Sequence, residues 1–186
     1  MREADVVQTE NGQQAQGPGW FVLNLRDVAW QTTERGGTWS LLESETAEFG
    51  QFGIGAHVLP PGESSGLYHW ESDQEGFLVL QGACVLVVEG EERALAQWDY
   101  FHCPPGTKHM TVGAAGDEPC VLWMVGARTK GKLTRYPADP VAARHGVSVQ
   151  RDADDSREAY AQWPVQPREF HDVPAPWPPP SSPSGD

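Results

Sequence analysis

Few cysteines and few basic side chains occur among the 186 residues. The three cysteines, Cys84, Cys103 and Cys120, follow neither a CxxC pattern nor a disulfide-rich framework, so we expect reduced, buried thiols in a cytoplasmic protein. Thirteen Lys and Arg stand against 26 Asp and Glu, and the formal net charge of -13 would repel a nucleic acid. Since the chain also lacks a long apolar run and an apolar signal segment, we expect neither nucleic-acid nor membrane partners.

Several catalytic motifs are missing as well. The chain has no Gly-rich phosphate loop, no GxSxG elbow and no HExxH helix signature. Nothing in the sequence therefore points to a nucleotide, a serine nucleophile or a zincin-type protease.

Short apolar segments separated by turn signals fill the centre of the chain. We predict strands near 20–25, 37–42, 52–59, 66–71, 75–81, 83–89, 92–95, 98–103, 108–113 and 119–126. No long central segment has the 3.6-residue period of a helix. The pattern predicts an all-β fold, a small antiparallel β-barrel or jelly roll.

The two ends of the chain differ from this centre. Residues 1–18 are polar and rich in Gln and Gly, and we predict that they are disordered. Residues 19–128 would form the barrel domain, and residues 129–186 a C-terminal extension with short helices near 139–144 and 154–160. The Pro-rich end is either a free tail or a strap whose Trp163 and Trp177 pack on the barrel.

Two imidazoles and two carboxylates form the most informative constellation. Alternate residues of a strand share a face, so His69 and Glu71 would point the same way, and a turn would bring Glu75 onto the adjacent strand. His109 follows a Pro-x-Gly turn and can reach the same interior from a distant part of the chain. Nitrogen and carboxylate donors suit a divalent metal ion, and Zn, Fe, Mn or Ni would all fit.

Residues 60–113 resemble the two motifs of the cupin superfamily. Glu75, six further residues and then Gly82 match the end of the first motif, and a Pro-x-Gly turn at 104–106 followed by His109 matches the core of the second. The resemblance implies a conserved cupin barrel that holds a metal ion through His69, Glu71, Glu75 and His109. It also implies a homodimer paired through strand edges, for which 20–25 and 37–42 are the candidates.

The chain departs from the family pattern at several positions. Six residues instead of five separate Gly62 from His69, and Glu71 stands in place of the second histidine. A rival register keeps five residues after Gly62 and puts Tyr68 and Trp70 at the ligand positions, which would turn His69 outward and leave the barrel without metal. Both registers are open at this level, and the pairing of His and Glu on one face favours the metal site.

Two functional hypotheses follow for a small-molecule ligand or substrate. The first is a metal-dependent enzyme of dioxygenase, decarboxylase or isomerase type, with His102 or Tyr100 as a proton donor. The second is a non-catalytic barrel that binds a sugar or another small molecule, with a structural metal or none. His57 shares a strand face with Gly53 and Gly55, and it either contacts a ligand or is half-exposed.

Overall fold

Antiparallel strands dominate the computed structural model, which describes residues 1–32, 36–163 and 169–171. In these residues the strands are β1 (Asp5–Thr9), β2 (Gly12–Gln16), β3 (Trp30–Thr32), β4 (Thr38–Ser40), β5 (Phe52–Leu59), β6 (Trp70–Glu71), β7 (Glu75–Gln81), β8 (Ala83–Val88), β9 (Glu91–Ala96), β10 (Tyr100–Cys103), β11 (His109–Gly113), β12 (Cys120–Ala127), β13 (Thr134–Arg135) and β14 (Glu169–His171). Two short helices, α1 (Pro140–Arg144) and α2 (Ser156–Ala159), and a 3-10 helix (Tyr160–Gln162) follow the barrel strands. The predicted all-β fold with short C-terminal helices is confirmed.

Two sheets enclose the interior of the barrel. The larger sheet has the order β10-β7-β12-β5-β4-β3-β14, and the smaller has the order β11-β8-β9. Two-stranded ladders join β13 to β6 and β1 to β2. All strand pairs are antiparallel, as short connections between neighbouring strands require.

The core has two layers because β5 and β12 bury both of their faces. Cys120 and Leu122 point inward and pack with Leu59, Val79 and Cys84 between the sheets. On the opposite face, a second cluster joins side chains of β5 and β12 to β3: Trp30, Ala56, Val58 and Val121. Burying each of these larger side chains stabilises the fold by roughly 2 kcal/mol. All three cysteines are free and buried, as the sequence predicts.

The N-terminal residues differ from the prediction of a disordered segment. Strands β1 and β2 form a hairpin, and the backbone N–H of Gln13 donates to the carbonyl of Asp27 at 2.6 Å. Ala15 is only 1% exposed. The hairpin itself is local, with Glu10 and Asn11 in the turn between Thr9 and Gly12, whereas the bond to Asp27 reaches outside the segment. A polar composition therefore does not by itself indicate disorder.

The predicted strand over 20–25 is also not formed. Asn24 ends the extended path, because its carbonyl accepts from the N–H of Asp27 at 2.9 Å and its side-chain oxygen accepts from the N–H of Arg26 at 3.0 Å. An asparagine side chain that bonds the backbone two residues later is a common way to close a turn. Only Trp20 makes an isolated bridge, to Glu3.

Helix α1 begins where the sequence predicts. The Asp139 carboxylate accepts hydrogen bonds from the N–H groups of Val141 and Ala142 at 2.8 and 2.9 Å, and Pro140 occupies the first turn. Trp163 packs against Tyr160, with 5.0 Å between ring centroids, whereas Trp177 lies outside the described residues. No helix in the described ranges is long and apolar enough to cross a membrane.

Candidate metal centre

Three strands meet where the candidate ligands lie. His69 immediately precedes β6, while Glu75 and His109 are the first residues of β7 and β11. The backbones of His69 and His109 bond to each other in both directions, with N–H to carbonyl distances of 3.2 and 2.8 Å. This small bridge sets the two imidazole rings 4.9 Å apart, centroid to centroid.

His69, Glu75 and His109 form a compact group of potential ligands. One donor atom from each lies within 4.8 Å of the others. His109 Nε2 lies 3.4 Å from Glu75 Oε2. Two imidazoles and one carboxylate could therefore hold a borderline or hard divalent ion.

Glu71 lies beside this group with a cation of its own. Its Oε1 is 3.9 Å from His69 Nε2, and its Oε2 is 2.5 Å from Lys132 Nζ. The Thr134 hydroxyl also donates to Oε1, at 3.4 Å. The structure thus brings all four predicted ligands to one place, but it gives Glu71 an ammonium partner that the other carboxylate lacks.

Both histidines have their tautomers fixed by backbone carbonyls. Nδ1–H of His69 donates to the Leu67 carbonyl at 2.7 Å, and Nδ1–H of His109 donates to the Thr107 carbonyl at 3.0 Å. The Cys103 sulfur lies 3.4 Å from the same nitrogen of His109. With Nδ1 occupied as a donor, each Nε2 keeps a free lone pair, which is the arrangement of metal-binding histidines.

Burial controls the charges in the group. It raises the pKa of Glu75 to about 8, and the negative charge of Glu71 adds to this effect. It lowers the pKa of His109 to about 4, with His69 contributing in the same direction, and it lowers the pKa of His69 as well. Both imidazoles are therefore neutral at pH 7, as ligands must be.

The residues present fit a bound cation. Glu75 Oε2 is buried and has no hydrogen-bond partner in the described part of the chain. An unpaired buried carboxylate oxygen is costly, because the protein replaces none of the water it loses. A divalent ion between this oxygen and the two Nε2 atoms would remove that cost.

The strand register is the one that turns His69 and Glu71 toward the group. Tyr68 points the other way, is fully buried, and packs with Val87 and Met110 in a separate cluster. Its hydroxyl accepts a hydrogen bond from the N–H of Gly90 at 3.1 Å. The rival register, with Tyr68 and Trp70 at the ligand positions, does not occur.

The two predicted proton donors lie elsewhere. Tyr100 and His102 are exposed on β10, which is an edge strand of the large sheet. The alternate residues of this strand face the ligands: the rings of Phe101 and His109 are 5.8 Å apart, and Cys103 contacts His109. Because successive side chains of a strand point to opposite faces, Tyr100 and His102 turn away from the ligands when Phe101 and Cys103 turn toward them.

Residues that follow the barrel strands line one side of the candidate metal centre, which the sequence analysis did not predict. Strand β13 pairs with β6, opposing Thr134 to Glu71 and Arg135 to Trp70. This pairing brings Lys132 to Glu71, and the ring of Tyr136 lies 5.7 Å from that of His69. No local signal marks these residues, since their partners lie about sixty positions earlier in the sequence.

Comparisons with known proteins agree with the barrel. Residues 56–126 match a family model described as a cupin domain. No curated protein matches the chain.

Three solved structures illustrate the similarity. A sugar phosphate isomerase of the cupin superfamily from Silicibacter pomeroyi is 30% identical, with 56% of this chain and 66% of that chain covered and a TM-score of 0.49. The polyketide cyclase RemF from Streptomyces resistomycificus is 20% identical, with 59% and 80% covered and a TM-score of 0.51. An RmlC-like cupin from Shewanella frigidimarina is 16% identical, with 62% and 96% covered and a TM-score of 0.50. The chain spans just under two thirds of the first of these proteins.

Proposed function

The central part of this chain is a cupin domain, and from this premise we propose that the protein uses a divalent metal ion to act on a small organic molecule. The ion would be held by His69, Glu75 and His109, and Zn, Fe, Mn or Ni is compatible with these donors. The observation that carries the proposal is the buried, unpartnered Oε2 of Glu75 opposite two histidines whose Nε2 atoms are free. When bound, such an ion acts as a Lewis acid or activates a bound oxygen ligand.

Other residues of the chain would orient the imidazoles, exclude water and balance the charge of Glu71. Leu67 and Thr107 hold the imidazoles in the ligating tautomer through their carbonyls. Phe77 and Phe101 pack against His109, with ring centroids at 5.2 and 5.8 Å, and exclude water from that side. Lys132 neutralises Glu71 and keeps a donor proton next to the reaction space.

A non-catalytic barrel is the competing hypothesis, and the partner of Glu71 argues against it. Four protein ligands would close the coordination sphere, which is typical of structural sites, whereas three ligands leave a position for substrate. Glu71 is engaged by Lys132 and Thr134, so we assign it to the edge of the centre rather than to the resting ligand set.

Metal titration of the chelator-treated protein by calorimetry tests this proposal. We expect one ion per chain, and the change His109→Ala should weaken binding by about 100-fold or more, because one of three ligands is lost. His145→Ala is the matched control, since His145 pairs with Glu92 outside the centre. Equal affinity in both variants, or no uptake by the unmodified protein, would refute the proposal.

We also propose that the protein is a cytoplasmic homodimer paired through the segment 20–25. Trp20 and Val22 in this segment are 50% and 77% exposed, so the segment presents two large apolar side chains that a second copy of the chain would cover. The other predicted edge, 37–42, is not free for pairing, because its strand β4 is already paired on both sides, with β3 and β5. Sedimentation should show a dimer that Trp20→Ser and Val22→Ser together convert to a monomer; a monomeric parent protein would contradict this.

A further inference from the structure

A cavity beside the candidate metal centre shares Glu75 with it. It has a volume of about 430 Å³ and lies against β4, β5, β7, β12 and the residues that follow β4. Its lining includes Trp39, Glu43, Gly53, His57, Met124 and Arg128. This volume is sufficient for a small organic ligand. One carboxylate thus belongs to both spaces, so a molecule in the cavity lies next to the candidate metal ion.

His57 lines the cavity and takes no part in the proposed metal centre. Its Nδ1 is buried and has no hydrogen-bond partner among the described residues. Burial lowers the pKa of its imidazole to about 4, so the ring is neutral at pH 7 and can donate or accept one hydrogen bond at each nitrogen. A half-turn about the Cβ–Cγ bond exchanges the nitrogen and carbon positions, so the ring has two ways of presenting a nitrogen.

Flat and apolar surfaces surround this imidazole. The Trp39 indole stacks on it at 6.3 Å between centroids, with 23° between the planes. Met124 lies on the neighbouring strand, where Leu122 is directly opposite His57. An aromatic ring and a thioether favour a planar, weakly polar partner over a heavily hydroxylated one.

The positively charged residue that lines this cavity, Arg128, already has an acidic partner. Two nitrogens of the Arg128 guanidinium each lie 2.7 Å from a carboxylate oxygen of Glu43, and one also donates to the Phe49 carbonyl at 2.9 Å. A side chain at Gly53 would collide with this guanidinium, since an added Cβ would be 2.8 Å from it. The cation is therefore committed to Glu43 and is not available to pair with an anionic ligand.

From these observations we propose that the cavity binds an uncharged, planar organic molecule through a hydrogen bond between His57 and a hydroxyl or carbonyl oxygen of the ligand. The inference rests on the proposed function only in treating this molecule as the substrate. Binding in the cavity itself requires no metal ion. A phosphorylated or carboxylated ligand of the same shape should be rejected.

Three probes with one ring and different substituents test the proposal: phenol, benzene and phenyl phosphate. The protein has three methionines, so ¹³C-methyl labelling gives few signals. Met124 lies in the cavity, whereas Met110 belongs to a separate buried cluster and is the internal control. Phenol should shift the Met124 signal and bind about tenfold more tightly than benzene, because only phenol satisfies His57. Phenyl phosphate should leave both signals unchanged.

The change His57→Phe keeps a flat ring and removes both nitrogens. In this variant phenol should bind no better than benzene, while the Met110 signal shows that the core is intact. If the variant does not fold, the ratio of phenol affinity to benzene affinity in the unmodified protein tests the proposal. Equal affinities of these two probes, tighter binding of phenyl phosphate, or a Met124 signal that phenol does not move would overturn the proposal.

Running the probe titration with and without added metal separates the two proposals. Phenol binding in a protein that takes up no metal supports the cavity and refutes the metal centre. Metal uptake without a phenol-induced shift at Met124 supports the metal centre and refutes ligand binding in the cavity.

Discussion

The barrel strands and the segment that follows them contribute to the same site in different ways. Residues 52–127 supply the candidate ligands, placed by strand alternation and by the turn before His109. Residues 128–163 supply the surrounding wall, including the cation beside Glu71 and the aromatic ring beside His69. The first group is spaced in a pattern that the sequence reveals, whereas the second acts through long-range pairing. A ligand set can therefore be recognised locally even when the environment that tunes it cannot.

The largest expected difference between the two regions is in their response to pH. The pKa of Glu75 rises to about 8 on folding, from an ordinary value of 4.5, so the folded metal-free protein holds a proton that the unfolded chain has released. Its stability should therefore fall as the pH rises from about 5 to 8, by up to about 4 kcal/mol. Chemical denaturation of chelated protein at several pH values measures this.

The change Glu75→Gln should remove most of this pH dependence, while the exposed Glu118→Gln should leave it intact. His109 acts at lower pH and with the opposite sign. Its pKa is lowered to about 4, so stability should also be lost as the pH falls from 6.5 toward 4. A flat profile between pH 5 and 8 in the unmodified protein would show that burial does not raise the pKa of Glu75 in this way.

Packing of the C-terminal segment should give the next largest effect. Tyr136 is 6% exposed and packs with Leu67, Ala153 and Ala159, which lie on both sides of the boundary between the two regions. Tyr136→Ala should destabilise the protein by about 3 kcal/mol, because it leaves a cavity at this junction. Thermal unfolding and hydrogen exchange would measure the loss, and exchange should increase most over residues 128–163. Leu133→Ala, at a 47% exposed position, should change little; equal effects of both changes would contradict this assignment.

A change at Lys132 tests directly how the residues after the barrel strands affect metal affinity. Its ammonium pairs with Glu71 and disfavours a second cation nearby. Lys132→Met should therefore increase divalent-metal affinity, by roughly tenfold, since Glu71 becomes available and a positive charge is removed. Calorimetry would measure this, with the exposed Lys130→Met as the control. Weaker metal binding in Lys132→Met would mean that Lys132 supports the ligand set.

The smallest predicted effect concerns one hydrogen bond across the same boundary. The Tyr160 hydroxyl accepts from the backbone N–H of Leu67 at 2.9 Å. Tyr160→Phe should cost about 1 kcal/mol of stability and leave metal affinity nearly unchanged. Tyr100→Phe, on the exposed edge strand, is the comparison. A metal affinity that falls with Tyr160→Phe would place this tyrosine closer to the chemistry than its contacts indicate.

Strand alternation and turn residues were enough to predict most of the barrel. The predictions for 52–59 and 75–81 coincide with β5 and β7, because Pro and Gly bound the first segment and Gly82 closes the second. The pairing of His69 with Glu71 on one face followed from the two-residue period of a strand. These inferences needed only neighbouring residues.

The inward-facing residues of β10 and the long-range strand pairings could not be predicted from neighbouring residues alone. Trp98 adopts a φ of 75°, and the carboxylate of Asp99 accepts from the N–H of Ala96 at 2.8 Å. This tight turn precedes β10, in which Phe101 and Cys103 face inward, whereas Tyr100 and His102, the predicted proton donors, are exposed. The pairing of β13 with β6 and the hydrogen bond from Gln13 in β2 to Asp27 depend on partners that composition does not identify.

Metal content measured by elemental mass spectrometry tests the central claim most directly. The unmodified protein, His109→Ala and Lys132→Met would be purified without chelators or a histidine tag and compared per chain. We expect nearly one Zn, Fe, Mn or Ni per chain in the unmodified protein and in Lys132→Met, and almost none in His109→Ala. Metal retained in His109→Ala, or absent from all three proteins, would contradict a metal centre held by the barrel strands.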